Sequence, residues 1–360
     1  MQGNETVTSS TVVARKKNLG YELLRICAVI GVVYNHTSYR GFVLYELEDC
    51  SLINSILSIF LGIFCRMAVP LFLMVSGALL LKRKDSIKTV LKKRVLRIFI
   101  VLVLFTLFNY LFLIWYGSIP EPSVYDFFVR LWHDGITIPY WYLYAYLGLM
   151  LMLPLLQPMV QGASNHVFRY LILLHLGYNL LNIIGWAFSL GSLDSDLLLP
   201  LAERTIFFFL IGYYVSERDD FKKLFGRFKW QFLAASLIAI FVTGILTMYD
   251  VSVNEDGYYF FMDSLQCIPV LFLFVLVSES DRIKRLNGIP AALIGGLGSC
   301  TFGVYLLEGI YRRLFDSFYE MLEPRIHVLP ACFCWVGVVC VFSFLTAYIL
   351  KKIPGLKRLL

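Results

Sequence analysis

The stretch Tyr21–Thr37, YELLRICAVIGVVYNHT, carries an arginine and a histidine inside an apolar run long enough to cross a membrane. Arg25 and His36 are both costly in hydrocarbon, so such side chains inside a span indicate a functional site or a polar interior. Their separation makes about three helical turns, so both lie on one helix face, about 16 Å apart along the axis. The alternative is an arginine that reaches the membrane surface and a histidine hydrogen-bonded in the bundle core.

Composition indicates the class of protein. The chain is 59% hydrophobic and 16% charged, with a mean hydropathy of +0.72, which is far more apolar than a soluble domain. Apolar runs of about 17 to 25 residues recur along it, and each can cross about 30 Å of hydrocarbon. We therefore predict an all-α polytopic membrane protein, a bundle of about ten transmembrane helices. The ten predicted spans are Leu19–Tyr39, Arg66–Leu81, Val95–Tyr116, Trp141–Val160, Phe168–Leu190, Leu197–Val215, Trp230–Tyr249, Met262–Val277, Ala291–Phe315 and Leu329–Leu350.

Two of these predictions leave alternatives open. The apolar segment Ser51–Cys65 fits an interfacial helix that leads into the second span. The sixth span carries Glu203 and Arg204 near its middle, which indicates either a polar lining or a break in the helix. The two charges can also satisfy one another as a pair.

The distribution of positive charge predicts the orientation. With the N-terminus inside, the cytoplasmic segments hold 23 Lys and Arg, whereas the outer loops hold only Arg40, Arg130 and Arg325. The positive-inside rule thus predicts cytoplasmic N- and C-termini. The net charge of +7 reflects this topology and does not indicate nucleic-acid binding. Residues 1–18 are predicted to be a disordered cytoplasmic tail, 19–350 the transmembrane domain, and 351–360 a short basic cytoplasmic tail.

No metal site or disulfide framework is expected from the eight cysteines. They form no CxxC motif and no His/Cys metal-ligand spacing, and most lie in or beside predicted spans. We interpret them as small packing residues.

Four sequence blocks resemble the integral-membrane acyltransferase family called acyltransferase 3. Glu22–Arg25 followed by Asn35–Thr37 resembles its first-helix motif. RMAVPLFLMVSG at Arg66–Gly77, WYLYAYLGL at Trp141–Leu149 and LGSCTFGVYL at Leu297–Leu306 resemble its second, fourth and ninth helices, in the same order. One departure concerns the last block. Members often carry a histidine just after it, whereas this chain has the ionisable Glu308.

The resemblance implies that an acyl group, most often acetyl, passes from cytoplasmic acyl-CoA to a hydroxyl of an envelope glycan or lipid-linked sugar. His36 then accepts the hydroxyl proton, with Arg25 in the same site, since an imidazole with an ordinary pKa near 6.5 can be neutral and still basic. Glu22 is expected to pair with Arg25 and reduce its burial cost. Arg66, Trp141 and Glu308 are expected to support the site or the substrate.

The expected donor site is Arg94 and Arg97, which resemble a family motif. At spacing i, i+3 they share a helix face and can hold CoA phosphates, although a positive cytoplasmic flank would carry such residues anyway. Acyl-CoA is thus expected as a substrate, with no bound cofactor. The family further implies the bacterial plasma membrane, and a separate envelope transferase can complete the reaction.

Three remaining sequence features leave interpretations open. Ser76-Gly77 is interpreted as a helix-packing element rather than a nucleophile. His175 is either a core histidine or a proton relay. A transporter or flippase of an envelope precursor is the alternative function, because charges inside spans also line transport paths. An inactive receptor or structural component is a third class, which Arg25 and His36 disfavour.

Overall fold

The structure is a computed structural model that describes residues 18–360 except 48, 134, 189, 191–198 and 254–259. The described residues form helices and no strand, which confirms the all-α prediction. The helices are α1 (Leu19–Asn35), α2 (Leu52–Arg66), α3 (Ala68–Leu80), α4 (Ile87–Val90), α5 (Leu96–Trp115), α6 (Val124–Trp132), α7 (Trp141–Gly162), α8 (Asn165–Ala187), α9 (Arg204–Glu217), α10 (Asp219–Arg227), α11 (Lys229–Val253), α12 (Phe260–Ser264), α13 (Cys267–Ser278), α14 (Asp281–Lys284), α15 (Gly288–Leu314), α16 (Asp316–Ile326), α17 (Val328–Leu350) and α18 (Pro354–Lys357).

Seven helical stretches among the described residues are long and apolar enough to cross a membrane. Polytopic membrane insertion is therefore plausible, while the ten spans and the orientation stay predictions. The seven are Leu52–Leu80, Ile87–Trp115, Ile138–Gly162, Asn165–Ala187, Lys229–Val253, Gly288–Leu314 and Val328–Leu350. Of the predicted tail 1–18, only Asn18 is described. Its side chain caps α1 by accepting a hydrogen bond from the Gly20 amide at 2.9 Å.

The other three predicted spans correspond to shorter helices. α1, α9 and α13 have 17, 14 and 12 residues, and the last two are too short to cross 30 Å alone. Polar side chains satisfy the exposed backbone at their ends. Glu203 caps α9 by accepting from the Thr205 and Ile206 amides, and Gln266 donates to the Met262 carbonyl before α13. Such broken helices are tolerated in membranes when protein groups satisfy the freed backbone.

Most of the segment Ser51–Cys65 is helical in α2 and leads directly into the helix of the second predicted span. α2 and α3 run on through Met67 as one stretch of 29 residues, Leu52–Leu80. Pro70 lies just after the junction and has no N–H to donate to the Arg66 carbonyl four residues earlier. That carbonyl instead accepts from the Arg204 guanidinium at 3.0 Å. The long span therefore has a polar joint inside the bundle.

Glycines bring the central helices into close contact. A Cβ at Gly77 would overlap the Phe209 carbonyl, and one at Gly212 would overlap the Met74 backbone, so α3 and α9 pack backbone to backbone. This confirms Gly77 as a packing residue. On α15, a Cβ at Gly298 would overlap Glu22, so α15 lies equally close to α1. These contacts set α1 in the interior, between α3 and α15.

Candidate functional site

An open cavity of about 590 Å³ lies against α1 and reaches from Arg25 to His36. It receives residues from α2, α3, α5, α7, α9 and α15. Of the predicted site residues, Arg25, His36, Arg66, Arg97 and Trp141 line it together. Its other polar and aromatic lining residues are Asn35, Phe72, Ser76, Tyr142, Tyr146, Arg204, Ser299, Thr301, Phe302 and Tyr305.

His36 is held by two residues of α15. Its Nδ1 lies 3.0 Å from Oε1 of Glu308, which is fully buried. Arg312 donates from Nε to the other Glu308 oxygen at 2.5 Å and from Nη1 to the His36 carbonyl at 2.8 Å. The Arg312 guanidinium thus compensates the carboxylate charge, and a carboxylate only accepts hydrogen bonds. Nδ1 therefore carries the proton, which leaves Nε2 of a neutral His36 as an acceptor.

Asn35, next to His36 in the chain, also lines the cavity. Adjacent residues of a regular helix point about 100° apart. The regular helix ends at Asn35, and the backbone of His36, with φ −95° and ψ 13°, is no longer α-helical. Regular helical spacing therefore does not apply to this last step, and both polar side chains face the cavity.

Glu308 and Arg312 form a motif that sequence reasoning recovered only in part. Glu308 was expected to support the site where relatives often carry histidine, but no partner was assigned. Arg312 was missed. The available signal was its i, i+4 spacing from Glu308, which makes the two side chains neighbours on a helix.

At the other end of the cavity, Arg25 and Glu22 form the expected pair. Nη1 of Arg25 donates to Oε1 of Glu22 at 3.3 Å. The second carboxylate oxygen of Glu22 is buried and accepts no hydrogen bond within the described part of the chain. Only Arg25 faces the cavity, so Glu22 is a supporting counterion at this site.

Arg94 and Arg97 do not both line the cavity, contrary to the shared helix face expected from their i, i+3 spacing. A π-helical turn, Leu91–Val95, precedes α5 and changes the helical spacing between them. Arg94 points away to Asp85, with Nη2 2.5 Å from Oδ2. Although partial burial opposes it, this guanidinium lowers the pKa of the Asp85 carboxyl. Arg97 alone lines the cavity, where Nε and Nη2 donate to the Leu359 carbonyl at 3.1 and 3.0 Å.

The segment that Arg97 holds also belongs to the cavity. Leu360 is buried and lines it. A Cβ at Gly303 of α15 would lie 3.9 Å from Cδ2 of Leu360. Residues 359–360 of the predicted basic tail therefore pack against the bundle.

A second charged cluster, the Arg66–Arg204 cluster, lies between these two ends and includes Asp263 and Gln266. Arg66 donates to both carboxylate oxygens of Asp263, from Nε at 2.9 Å and also from Nη2, and Arg204 donates from Nη1 at 2.5 Å. Gln266 donates to the same carboxylate and accepts from Arg204. The second predicted span starts at Arg66, whereas the structure places Arg66 inside the helical stretch Leu52–Leu80.

This cluster also decides between the alternatives for Glu203 and Arg204. The two do not satisfy each other, because Glu203 caps α9 and Arg204 pairs with Asp263. Asp263 was not singled out from sequence. It lies 197 positions from Arg66, and no local spacing relates the two.

Aromatic side chains form one wall of the cavity. Tyr142 stacks on Tyr146 with ring centroids 5.8 Å apart and meets Tyr305 edge to face at 5.7 Å. Tyr305 donates to the Pro139 carbonyl, which fixes its ring. Trp141 contacts Tyr142 at the same wall. Aromatic rings that carry polar groups can pack against the ring of a bound sugar.

His175 is a core histidine. Its ring stacks on Phe207 at a centroid distance of 3.8 Å, and Nδ1 lies 2.7 Å from the Ala202 carbonyl. It does not line the cavity. Across the described residues, no group of three His, Cys, Asp or Glu is arranged to hold a metal ion.

Comparison with known proteins identifies the family of the chain. No curated protein and no solved structure matches the chain significantly. The family model described as "Acyltransferase domain" matches residues 18–351. That range includes His36, Glu308 and every arginine of the cavity. The chain belongs to the acyltransferase 3 family of membrane acyltransferases.

Proposed function

We propose that the protein transfers an acyl group, acetyl by default, from cytoplasmic acyl-CoA to a hydroxyl of an envelope glycan or lipid-linked sugar. The observation that carries this proposal is the histidine–carboxylate pair His36–Glu308 at one end of a cavity with Arg97 at the other. A neutral imidazole held by a buried carboxylate is a general base, and a guanidinium at a cavity mouth binds phosphate.

His36 starts the transfer. Its Nε2 takes the proton of the acceptor hydroxyl while the hydroxyl oxygen forms a bond to the thioester carbon. The carbon–sulfur bond then breaks, and the imidazolium returns the proton to the CoA thiolate. The products are the acyl ester and free CoA.

Glu308 and Arg312 serve this proton transfer indirectly. Glu308 holds the proton on Nδ1, so Nε2 is always the basic nitrogen, and its charge stabilises the imidazolium that forms. Arg312 balances the carboxylate when the imidazole is neutral and fixes the end of α1 through the His36 carbonyl. Both act through His36 and are positioning residues.

The donor enters from the end marked by Arg97. CoA phosphates replace the Leu359 carbonyl as the partner of the Arg97 guanidinium, because an anion is the stronger acceptor. An extended pantetheine arm spans about 15 Å, which matches the rise of about 16 Å from Arg25 to His36. The thioester then reaches His36, while the arm passes Arg25.

The proposal also names the acceptor, the membrane and a partner protein. The aromatic wall at Trp141 and Tyr142 suits a sugar ring beside His36. We place the protein in a bacterial plasma membrane with both termini cytoplasmic, as the loop charges predict. A separate envelope transferase is a candidate partner for moving the acylated sugar onward.

Mass spectrometry of envelope glycans and lipid-linked sugars, with and without the gene, tests this function. The proposal expects an acyl mass difference on a sugar. The transporter alternative is tested with purified protein in sealed vesicles, given labelled acetyl-CoA on the cytoplasmic side. Solute flux that consumes no CoA and survives His36→Ala would contradict the acyltransferase proposal.

A further inference from the structure

The cavity contains arginines that the proposed path of the acyl-CoA donor does not use. Four arginines line it, namely Arg25, Arg66, Arg97 and Arg204, and no Asp or Glu is among its described lining residues. In the proposed function, the donor passes Arg97 and Arg25. Arg66 and Arg204 lie on other elements, at the end of α2 and the start of α9, and that function gives them no role.

The Arg66–Arg204 cluster carries a net positive charge. Among the described residues, its two guanidiniums share one carboxylate, that of Asp263, and Gln266, which completes the cluster, is neutral. Nε of Arg204 is buried and makes no hydrogen bond in the described part of the chain. An excess cation inside a membrane bundle is costly unless an anion compensates it. The cluster therefore attracts an incoming anion through its positive charge.

The cluster lies close to the reacting end of the cavity. A Cβ at Gly31 would lie 3.6 Å from Cα of Cys65 and 3.4 Å from Cβ of Ala68, so Arg66 is level with Gly31 on α1. His36 is five residues further on, or about 8 Å along the helix axis. One charged sugar can span that distance, with a hydroxyl at His36 and its anionic group at the arginines.

We infer that Arg66 and Arg204 form an anion subsite, which selects acceptor sugars that carry a carboxylate or a phosphate. The inference deepens the proposed function and rests on it for the role of the bound sugar as acceptor. The aromatic wall holds the ring, His36 meets the hydroxyl, and the charge of the two guanidiniums attracts the charged substituent.

The same chemistry has a second source. An acyl group with a carboxylate at its far end, as in succinyl-CoA, would bring an anion into the cavity from the donor side. The two sources predict different preferences. If the subsite binds the acceptor, the enzyme should discriminate among different sugars when the donor is kept the same. If it binds the donor, the enzyme should discriminate between different acyl groups when the sugar is kept the same.

The experiment uses the purified full chain in detergent with three probes that share a ring. These are methyl glucoside, methyl glucuronide and methyl glucoside phosphate. Binding is followed by calorimetry, and transfer is followed by CoA release from acetyl-CoA. We expect one or both charged sugars to bind about tenfold to a hundredfold more tightly than the neutral one, as charged hydrogen bonds provide. Equal binding of all three sugars would overturn the inference without any variant.

Arg204→Gln and Arg66→Gln test the residues. Each should reduce the preference for charged sugars about tenfold or more while it spares binding of the neutral sugar. Arg204→Lys should restore only part of the preference. Arg169→Gln is the matched control, since Arg169 also pairs with an aspartate, Asp220, but lies outside the cavity. Loss of binding that is equal for charged and neutral sugars would contradict the subsite.

The outcomes separate this inference from the proposed function. Preferential binding of charged sugars without CoA release supports the subsite and counts against acyl transfer. CoA release that is equal with all three sugars supports acyl transfer and overturns the subsite. A third outcome is that turnover of the neutral glucoside depends on Arg204 and is faster with succinyl-CoA than with acetyl-CoA, while the three sugars are used equally. That outcome would assign the arginines to the donor and overturn the acceptor inference.

Discussion

His36 Nδ1 and Glu308 Oε1 lie 3.0 Å apart, although 272 positions separate the two residues in the chain. The contact joins the end of α1 to the middle of α15, where Glu308 is fully buried. It gives the histidine one defined protonation pattern and leaves its second nitrogen for the substrate. Every step of the proposed acyl transfer depends on this pair.

Glu308→Gln tests the pair directly. The amide keeps the shape of the carboxylate, but it has no charge and can present a donor to Nδ1, which favours the wrong tautomer. We expect kcat to fall by about two to four orders of magnitude with little change in KM for acyl-CoA. Steady-state CoA release measures both constants. A raised KM with unchanged kcat would assign Glu308 to donor binding or to structure instead.

Arg97→Gln should raise KM for acyl-CoA by about tenfold or more, because the guanidinium at the cavity mouth is lost. Arg97→Lys should recover part of that loss, since an ammonium lacks the bidentate fork. Arg94→Gln is the matched comparison three residues away, and it should affect KM much less because Arg94 faces Asp85. Equal effects of Arg94→Gln and Arg97→Gln on KM would show that the two act as one site after all.

Gly77→Ala should destabilise the bundle, because the added methyl group would overlap the Phe209 carbonyl on α9. Overpacking of this kind costs about 1–3 kcal/mol. The measurement is thermal unfolding of the purified protein in detergent. Gly148→Ala on α7 is the control, since no atom lies within 4 Å of a Cβ built there. An unchanged Tm in Gly77→Ala would mean that α3 and α9 do not pack this closely.

Sequence reasoning predicts the positions of site residues best where those residues lie on one helix. Arg25 and His36 line one cavity as their spacing on α1 predicts, and the apolar runs predict an all-helical bundle. The neighbour Asn35 shows the limit of that reasoning, because helical spacing ends where the helix ends.

Contacts between distant segments were not predictable in the same way. Glu308 and His36, and Arg66 and Asp263, meet only through tertiary packing, so no local spacing relates them. Irregular backbone geometry explains other differences between the predictions and the structure. The π-helical turn at Leu91–Val95 separates Arg94 from Arg97, and a cap at Glu203 starts α9 inside a predicted span. Hydropathy alone does not report such breaks, because the surrounding residues stay apolar.

The most direct test of the account measures how much labelled acetyl group cells transfer to envelope sugars. Cells that produce the wild-type protein are compared with cells that produce His36→Ala at equal abundance. His133→Ala serves as the control, since His133 is exposed at the end of α6 and outside the cavity. The account predicts that His36→Ala lowers transfer to the level of cells without the gene, because no other His, Asp or Glu is among the described residues that line the cavity. His133→Ala should keep the wild-type level. Transfer at the wild-type rate in His36→Ala would contradict the account and remove His36 from the mechanism.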